Sequence, residues 1–92
     1  MAQIIWSGTA LQDLKSIGNF IEQGSEYYAK IFIQRLYNSV KRLELFPESG
    51  RKSIDFRSLN LREVIYQSYK VIYSFEDETV KILTIVHCKR DV

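Results

Sequence analysis

The stretch from Leu61 to Arg90 constrains the fold most, because three β-rich runs follow one another there with links short enough for hairpins. The runs are Leu61-Arg62-Glu63-Val64, Tyr69-Lys70-Val71-Ile72-Tyr73, and Val80 through Val86 continuing into His87-Cys88-Lys89-Arg90. In the middle run Tyr69, Val71, Tyr73 and Phe75 are expected on one face and Lys70, Ile72 and Ser74 on the other, the period of two that a strand imposes. In the last run Val80, Ile82, Thr84 and Val86 are expected to share a face, opposite Lys81, Leu83, Ile85 and His87. Both faces are apolar enough for a central strand. The polar links Gln67-Ser68 and Glu76-Asp77-Glu78-Thr79 supply turns, so the three runs predict an antiparallel meander.

Upstream the period changes from two to that of a helix. Gln3-Ile4-Ile5-Trp6 is a short β-prone run, and Ser7 after it is a good N-cap. Ala10, Leu14, Ile17 and Ile21, with Leu11 beside them, form the stripe of a first amphipathic helix. Gln23-Gly24-Ser25 ends it, with Gly24 suited to a left-handed C′ position and Ser25 to capping a second helix. That helix carries Ala29, Phe32, Ile33, Leu36, Val40 and Leu43 on one stripe and is expected to run to Phe46, where Pro47 disfavours more helix. Its polar face holds Lys30, Arg35, Lys41 and Arg42, a solvated or acid-binding surface. Residues 52–60 show no period and read as a packed loop anchored by Ile54, Phe56 and Leu59. The order is β-α-α-β-β-β, an α+β fold in which a helical hairpin packs on a small mainly antiparallel sheet and the first strand joins an edge.

A chain of 92 residues is expected to form one domain, 1–92, and 26% charged with 46% hydrophobic residues is ordinary for a globular protein. Its apolar runs are far short of the roughly 20 residues that cross a bilayer. Met1-Ala2-Gln3 has no basic, then apolar, leader pattern, so a cytoplasmic protein with no membrane partner is expected. Cys88, the single cysteine, has no partner for an internal disulfide, and no His or Cys stands at zinc-ligand spacing. No metal and no cofactor are expected. A formal charge of +2 permits contact with nucleic acid or an acidic protein without demanding either.

Several spaced features together resemble the RelE/ParE superfamily of type II toxins, over nearly the whole chain. They are Trp6 before a helix with Ala10 and Asp13-Leu14; Leu43, Pro47 and Gly50-Arg51; Leu61-Arg62-Glu63; Tyr69-Lys70-Val71-Ile72-Tyr73; and Ile85-Val86-His87-Cys88-Lys89-Arg90. Lys70 and Lys89 stand where the family usually has arginine, which keeps the charge and loses the planar fork.

The resemblance implies the toxin of a toxin-antitoxin pair, with two modes of action open. Members similar to RelE cut messenger RNA on the ribosome, which needs a base, cations at the phosphate and an acid for the leaving oxygen; here Arg62, Glu63, His87 and Arg90 would be the candidates. Such members commonly carry a tyrosine near the chain end, where this chain has Cys88, and are far more basic. The ParE-like branch, plasmid-stabilisation toxins without the ribonuclease residues, is therefore the favoured resemblance. It implies binding of DNA gyrase rather than chemistry of its own, with Arg62, Lys70, Lys89 and Arg90 as the target surface; direct nucleic-acid binding stays open. A member that only binds its antitoxin is the third reading. A ParD-like or similar antitoxin is implied as partner, and Phe20, Tyr27, Tyr28 and Tyr37, which lie off the main stripes, are the expected aromatic anchors for it. The competing reading packs these aromatics beneath residues 52–60.

Overall fold

The computed structural model describes residues 1–53 and 60–88. A strand, β1 (Gln3–Trp6), leads into α1 (Gly8–Glu22) and α2 (Glu26–Lys41), whose end tightens into a 3₁₀ turn at Arg42–Glu44. Then come β2 (Arg51–Lys52), β3 (Arg62–Tyr66), β4 (Tyr69–Glu76) and β5 (Thr79–His87). The five strands form one sheet in the order β1-β5-β4-β3-β2. All neighbours are antiparallel except β1, which runs parallel to β5 at the sheet edge. The expected α+β order stands, with β2 added.

Both helices start where the serines put them. Ser7 Oγ accepts from the Ala10 amide at 2.9 Å, and Ser25 Oγ accepts from the Tyr28 amide at 3.1 Å. Ser7 also donates to the Leu83 carbonyl, so the first cap doubles as a tie between α1 and the sheet. Gly24 is not left-handed, since no glycine has a positive φ; the hairpin turns instead through Gln23 in helical geometry and Ser25 in extended geometry. The second helix ends five residues before Phe46, because the chain winds more tightly from Arg42.

The helices cover one face of the sheet. Ala10 and Ile17 of α1, and Phe32, Leu36 and Val40 of α2, pack with Leu43 against Val71, Tyr73, Val80, Ile82 and Ile85. Leu36 is fully buried, and truncating it to alanine would cost about 2–5 kcal/mol. Leu11, placed beside the α1 stripe by spacing, is 52% exposed on the far side of the hairpin.

The faces of β5 depart from simple alternation. Ile72 pairs with Thr84 and Tyr73 with Ile82, so Leu83 is an extra residue in a β-bulge. Beyond it the faces exchange: Ile85 joins Val80 and Ile82 in the core, while Val86, expected beside them, is exposed on the opposite face. Past Trp6 no strand among the described residues flanks the β1 side of β5, and there Asp13 of α1 takes over, accepting from the Ile85 amide at 3.0 Å and from Thr84 Oγ1 at 2.5 Å. The buried amide of the bulged strand is thereby satisfied.

The hairpins close through two-residue turns. At Asp77-Glu78 both φ values are positive, 50° and 60°, as in a type I′ turn; at Gln67-Ser68 only Gln67 is, at 54°, as in type II′. Ile54, Phe56 and Leu59, expected as loop anchors, lie outside the described residues.

Candidate functional site

Strand alternation sorts the candidate residues before any distance is measured. Arg62, Val64 and Tyr66 of β3 face the helices, as do Tyr69 and His87, which pair across β4 and β5. Glu63 and Ile65 face the other, outer side, together with Lys70. Arg62 and Lys70, named together as a target surface, are therefore on opposite faces.

Arg62 is held by the corner that follows the helices. Its Nη1 donates to the Gly50 carbonyl at 2.8 Å and the Glu48 carbonyl at 3.2 Å, and its Nη2 lies 3.7 Å from Glu48 Oε2. Tyr73 closes the same corner from the core: its hydroxyl donates to the Pro47 carbonyl at 2.8 Å and accepts from the Gly50 amide at 2.9 Å. A Cβ at residue 50 would stand 2.5 Å from the Tyr73 hydroxyl and 2.9 Å from the Glu63 carbonyl, so only glycine fits. Burial pushes the Tyr73 hydroxyl above its ordinary pKa, against the smaller opposing pull of the Gly50 amide and the Arg62 charge.

Glu63 is the most enclosed charge among the described residues, its side chain 0% exposed. Its Oε1 accepts from Arg51 Nε at 2.9 Å, across the β2–β3 pair, and its Oε2 lies 3.8 Å from Lys70 Nζ. The carboxylate thus binds two cations, and Arg62, its chain neighbour, pairs elsewhere. Among the described residues only Oε1 is hydrogen-bonded; Oε2 is buried without a hydrogen bond and is met by the Lys70 charge alone, so it is charge pairing that lets this carboxylate stay buried. Among the described residues, no group of three or more His, Cys, Asp or Glu side chains is arranged to hold a metal.

His87 is exposed at the end of β5, its ring edge-on to Tyr69 at 5.1 Å. Tyr69 in turn packs edge-on against Phe32, as does Tyr66, so His87 ends an aromatic chain that leads into the core. Cys88 follows it as a free thiol whose amide donates to the Ser68 carbonyl at 2.7 Å. Lys89 and Arg90 lie outside the described residues.

The four aromatics named as anchors are all exposed: Phe20 at 68%, Tyr27 at 76%, Tyr28 at 50% and Tyr37 at 44%. Phe20, Tyr27 and Tyr28 flank the turn of the helical hairpin. Tyr37 stands apart, nine residues or roughly 13 Å along α2 from Tyr28, and stacks on Trp6 with ring centroids 6.1 Å apart. Asp13 and Arg51 enter the sequence reading only as motif residues. The bonds they make span 71 and 12 residues, and nothing local announces them. A lone carboxylate beside the buried stripe of α1 is the one available signal for Asp13.

The family model for the ParE toxin of the type II toxin-antitoxin system parDE matches residues 4–92. The Toxin RelE2 of Caulobacter vibrioides is 35% identical over 91 residues, covering 98% of this chain and 99% of that protein. A solved structure of the chromosomal ParDE toxin-antitoxin system from P. aeruginosa superposes with a TM-score of 0.80 over 97% of this chain and 98% of that one, at 19% identity, a likeness of fold. With the helical hairpin, the bulged five-stranded sheet and these matches together, the chain belongs to the ParE toxin family of type II toxin-antitoxin systems, within the RelE/ParE superfamily.

Proposed function

We propose that this toxin inhibits growth by binding DNA gyrase, so that DNA broken by the host enzyme accumulates, and that a cognate ParD-like or similar antitoxin neutralises it. One observation carries the choice of a binding mechanism: the described residues that a nuclease would use are dispersed. Arg62 and His87 share a face but pair with β4 at Tyr73 and Tyr69, roughly 13 Å apart along the strand. Glu63 is on the other face, enclosed between Arg51 and Lys70. Cleavage by 2′-hydroxyl attack needs its acid, base and cation within hydrogen-bonding reach of one phosphate. Stabilising one conformation of a target enzyme requires no such convergence.

Purified gyrase, plasmid DNA and this toxin should yield plasmid linearised and covalently attached to gyrase, and induction in bacteria should trigger the DNA-damage response with messenger intact. Codon-positioned cuts in ribosome-bound messenger, with no gyrase-linked DNA, would overturn the proposal in favour of a RelE-like endoribonuclease. Neither effect would point to a member that only binds its antitoxin. For the target surface, the double variant Lys70→Ala, Lys89→Ala should weaken growth inhibition at equal protein level, whereas Lys→Arg at both should preserve it.

A further inference from the structure

The sheet has an open edge beside the second helix. In an antiparallel pair the backbone groups of alternate residues face alternate neighbours, so with Tyr66 and Tyr69 closing the β3–β4 hairpin, Leu61, Glu63 and Ile65 present their N–H and C=O groups away from β4. The first two are met: the Ser53 amide donates to the Leu61 carbonyl at 2.8 Å, and Arg51 pairs with Glu63. β2 is only two residues long and stops there, so among the described residues nothing pairs with Ile65. Beside it an open cleft of about 660 Å³ runs between Val64–Tyr66 and the last turns of α2.

Three arginines line that cleft, Arg35, Arg42 and Arg51. Arg35 and Arg42, seven residues apart, are exposed and have no carboxylate partner among the described residues. Arg51 is 56% exposed along its side chain, and Glu63 engages it through Nε, which fixes the group while leaving both terminal nitrogens as donors. One buried carboxylate against three arginines leaves the cleft positive, on a chain whose whole net charge is +2.

We propose that this cleft is a docking site for an acidic, extended polypeptide segment that adds a strand to β3 at Ile65 and places carboxylates on Arg35, Arg42 and Arg51. Strand addition draws affinity from backbone hydrogen bonds and specificity from alternate side chains, and arginine forks match carboxylates in pairs. A nucleic acid would use the arginines and leave the Ile65 edge bare, and a chain of charge +2 offers few further cations for a phosphate track. The surface is separate from Phe20, Tyr27 and Tyr28 at the hairpin turn.

The test uses the full chain and an eight-residue synthetic peptide of alternating Glu and Val, with three comparisons: Gln in place of Glu, N-methylation at the alternate amides that would face β3, and a single-stranded RNA of eight nucleotides. The acidic peptide should bind, slow amide exchange at Ile65 at least tenfold at saturation, and lose about tenfold in affinity with Arg35→Ala or Arg42→Ala, both surface changes. The Gln peptide and the N-methylated peptide should each bind at least tenfold more weakly. Equal binding of the Gln peptide, unchanged exchange at Ile65 on binding, or tighter binding of the RNA than of the peptide would each overturn the proposal, the last in favour of a phosphate groove.

Discussion

The two ends of this molecule are held in opposite ways. At the corner where residues 47–51 meet the sheet, Tyr73, Arg62, Arg51 and Glu63 are joined by side-chain hydrogen bonds that span 12 to 26 residues of sequence. At the turn of the helical hairpin the ties are local: the Ser25 cap reaches three residues, the Gly24 amide bonds back to Ile21, and Phe20, Tyr27 and Tyr28 project into solvent. A region built on distant bonds fails as a unit when one member is lost. A region built on local ones can exchange its exposed side chains freely, which leaves it available for a partner.

The contrast is broken most forcefully at Gly50. Gly50→Ala drives a methyl into the Tyr73 hydroxyl and the Glu63 backbone, and urea unfolding should show a loss of about 3 kcal/mol. Tyr73→Phe removes a donor and an acceptor at once and strands the buried Gly50 amide, for an expected loss of about 2 kcal/mol.

That second variant also has a pH signature. The Tyr73 pKa is raised above 10.0 by burial in the folded chain, so the folded state holds this proton more tightly than the unfolded state. The stability it contributes is complete below pH 10 and falls as pH climbs through the raised value. Melting temperatures from pH 8 to 12 should decline less steeply for Tyr73→Phe than for the unaltered chain; equal slopes would show that the hydroxyl is not the group responsible.

A smaller effect, of opposite sign, belongs to the β4–β5 turn. Asp77 and Glu78 both occupy positive φ without being glycine, and Asp77→Asn with Glu78→Gly matches the residues that type I′ turns prefer. A gain of about 1 kcal/mol is expected in thermal unfolding. The smallest effect on folding, within about 0.5 kcal/mol, should come from Tyr28→Ala, while Tyr37→Ala, which gives up the stack on Trp6, should cost about 1 kcal/mol. If the helical hairpin receives the antitoxin, that same pair should weaken antitoxin binding at least tenfold, and undiminished affinity would remove the hairpin as the site.

The same division decides what could be read from sequence. The stripes of α1 and α2, the serine caps and the Gln67-Ser68 turn are written in neighbouring residues and are legible there. The link read as Glu76-Asp77-Glu78-Thr79, by contrast, narrows to Asp77-Glu78 because Glu76 and Thr79 pair. The bulge at Leu83 was not legible, because Leu83, Thr84, Ile85 and Val86 are tolerable on either face and the alternation gives no sign of slipping. β2 escaped because two charged residues, Arg51 and Lys52, have no period; they become a strand only through Glu63 and Arg62 on the facing one. Gly24 read as a left-handed cap from its residue type alone, whereas the extended geometry of Ser25 makes that conformation unnecessary. The grouping of Arg62 with Lys70 arose from proximity in sequence, and strand pairing set them on opposite faces.

The parallel pairing of β1 with β5 has a consequence in time. Gln3 finds its partner at Thr79, and Trp6 at Ile82, so the first strand to leave a ribosome waits for almost the last. At the usual pace of synthesis, about 5–20 residues per second, that wait is roughly 4 to 15 s. Until then the core face made by Val80, Ile82 and Ile85 does not exist and α1 has no sheet to lie on. A nascent toxin therefore cannot complete the sheet until β5 has emerged, and an antitoxin that recognises the finished fold cannot engage it before then.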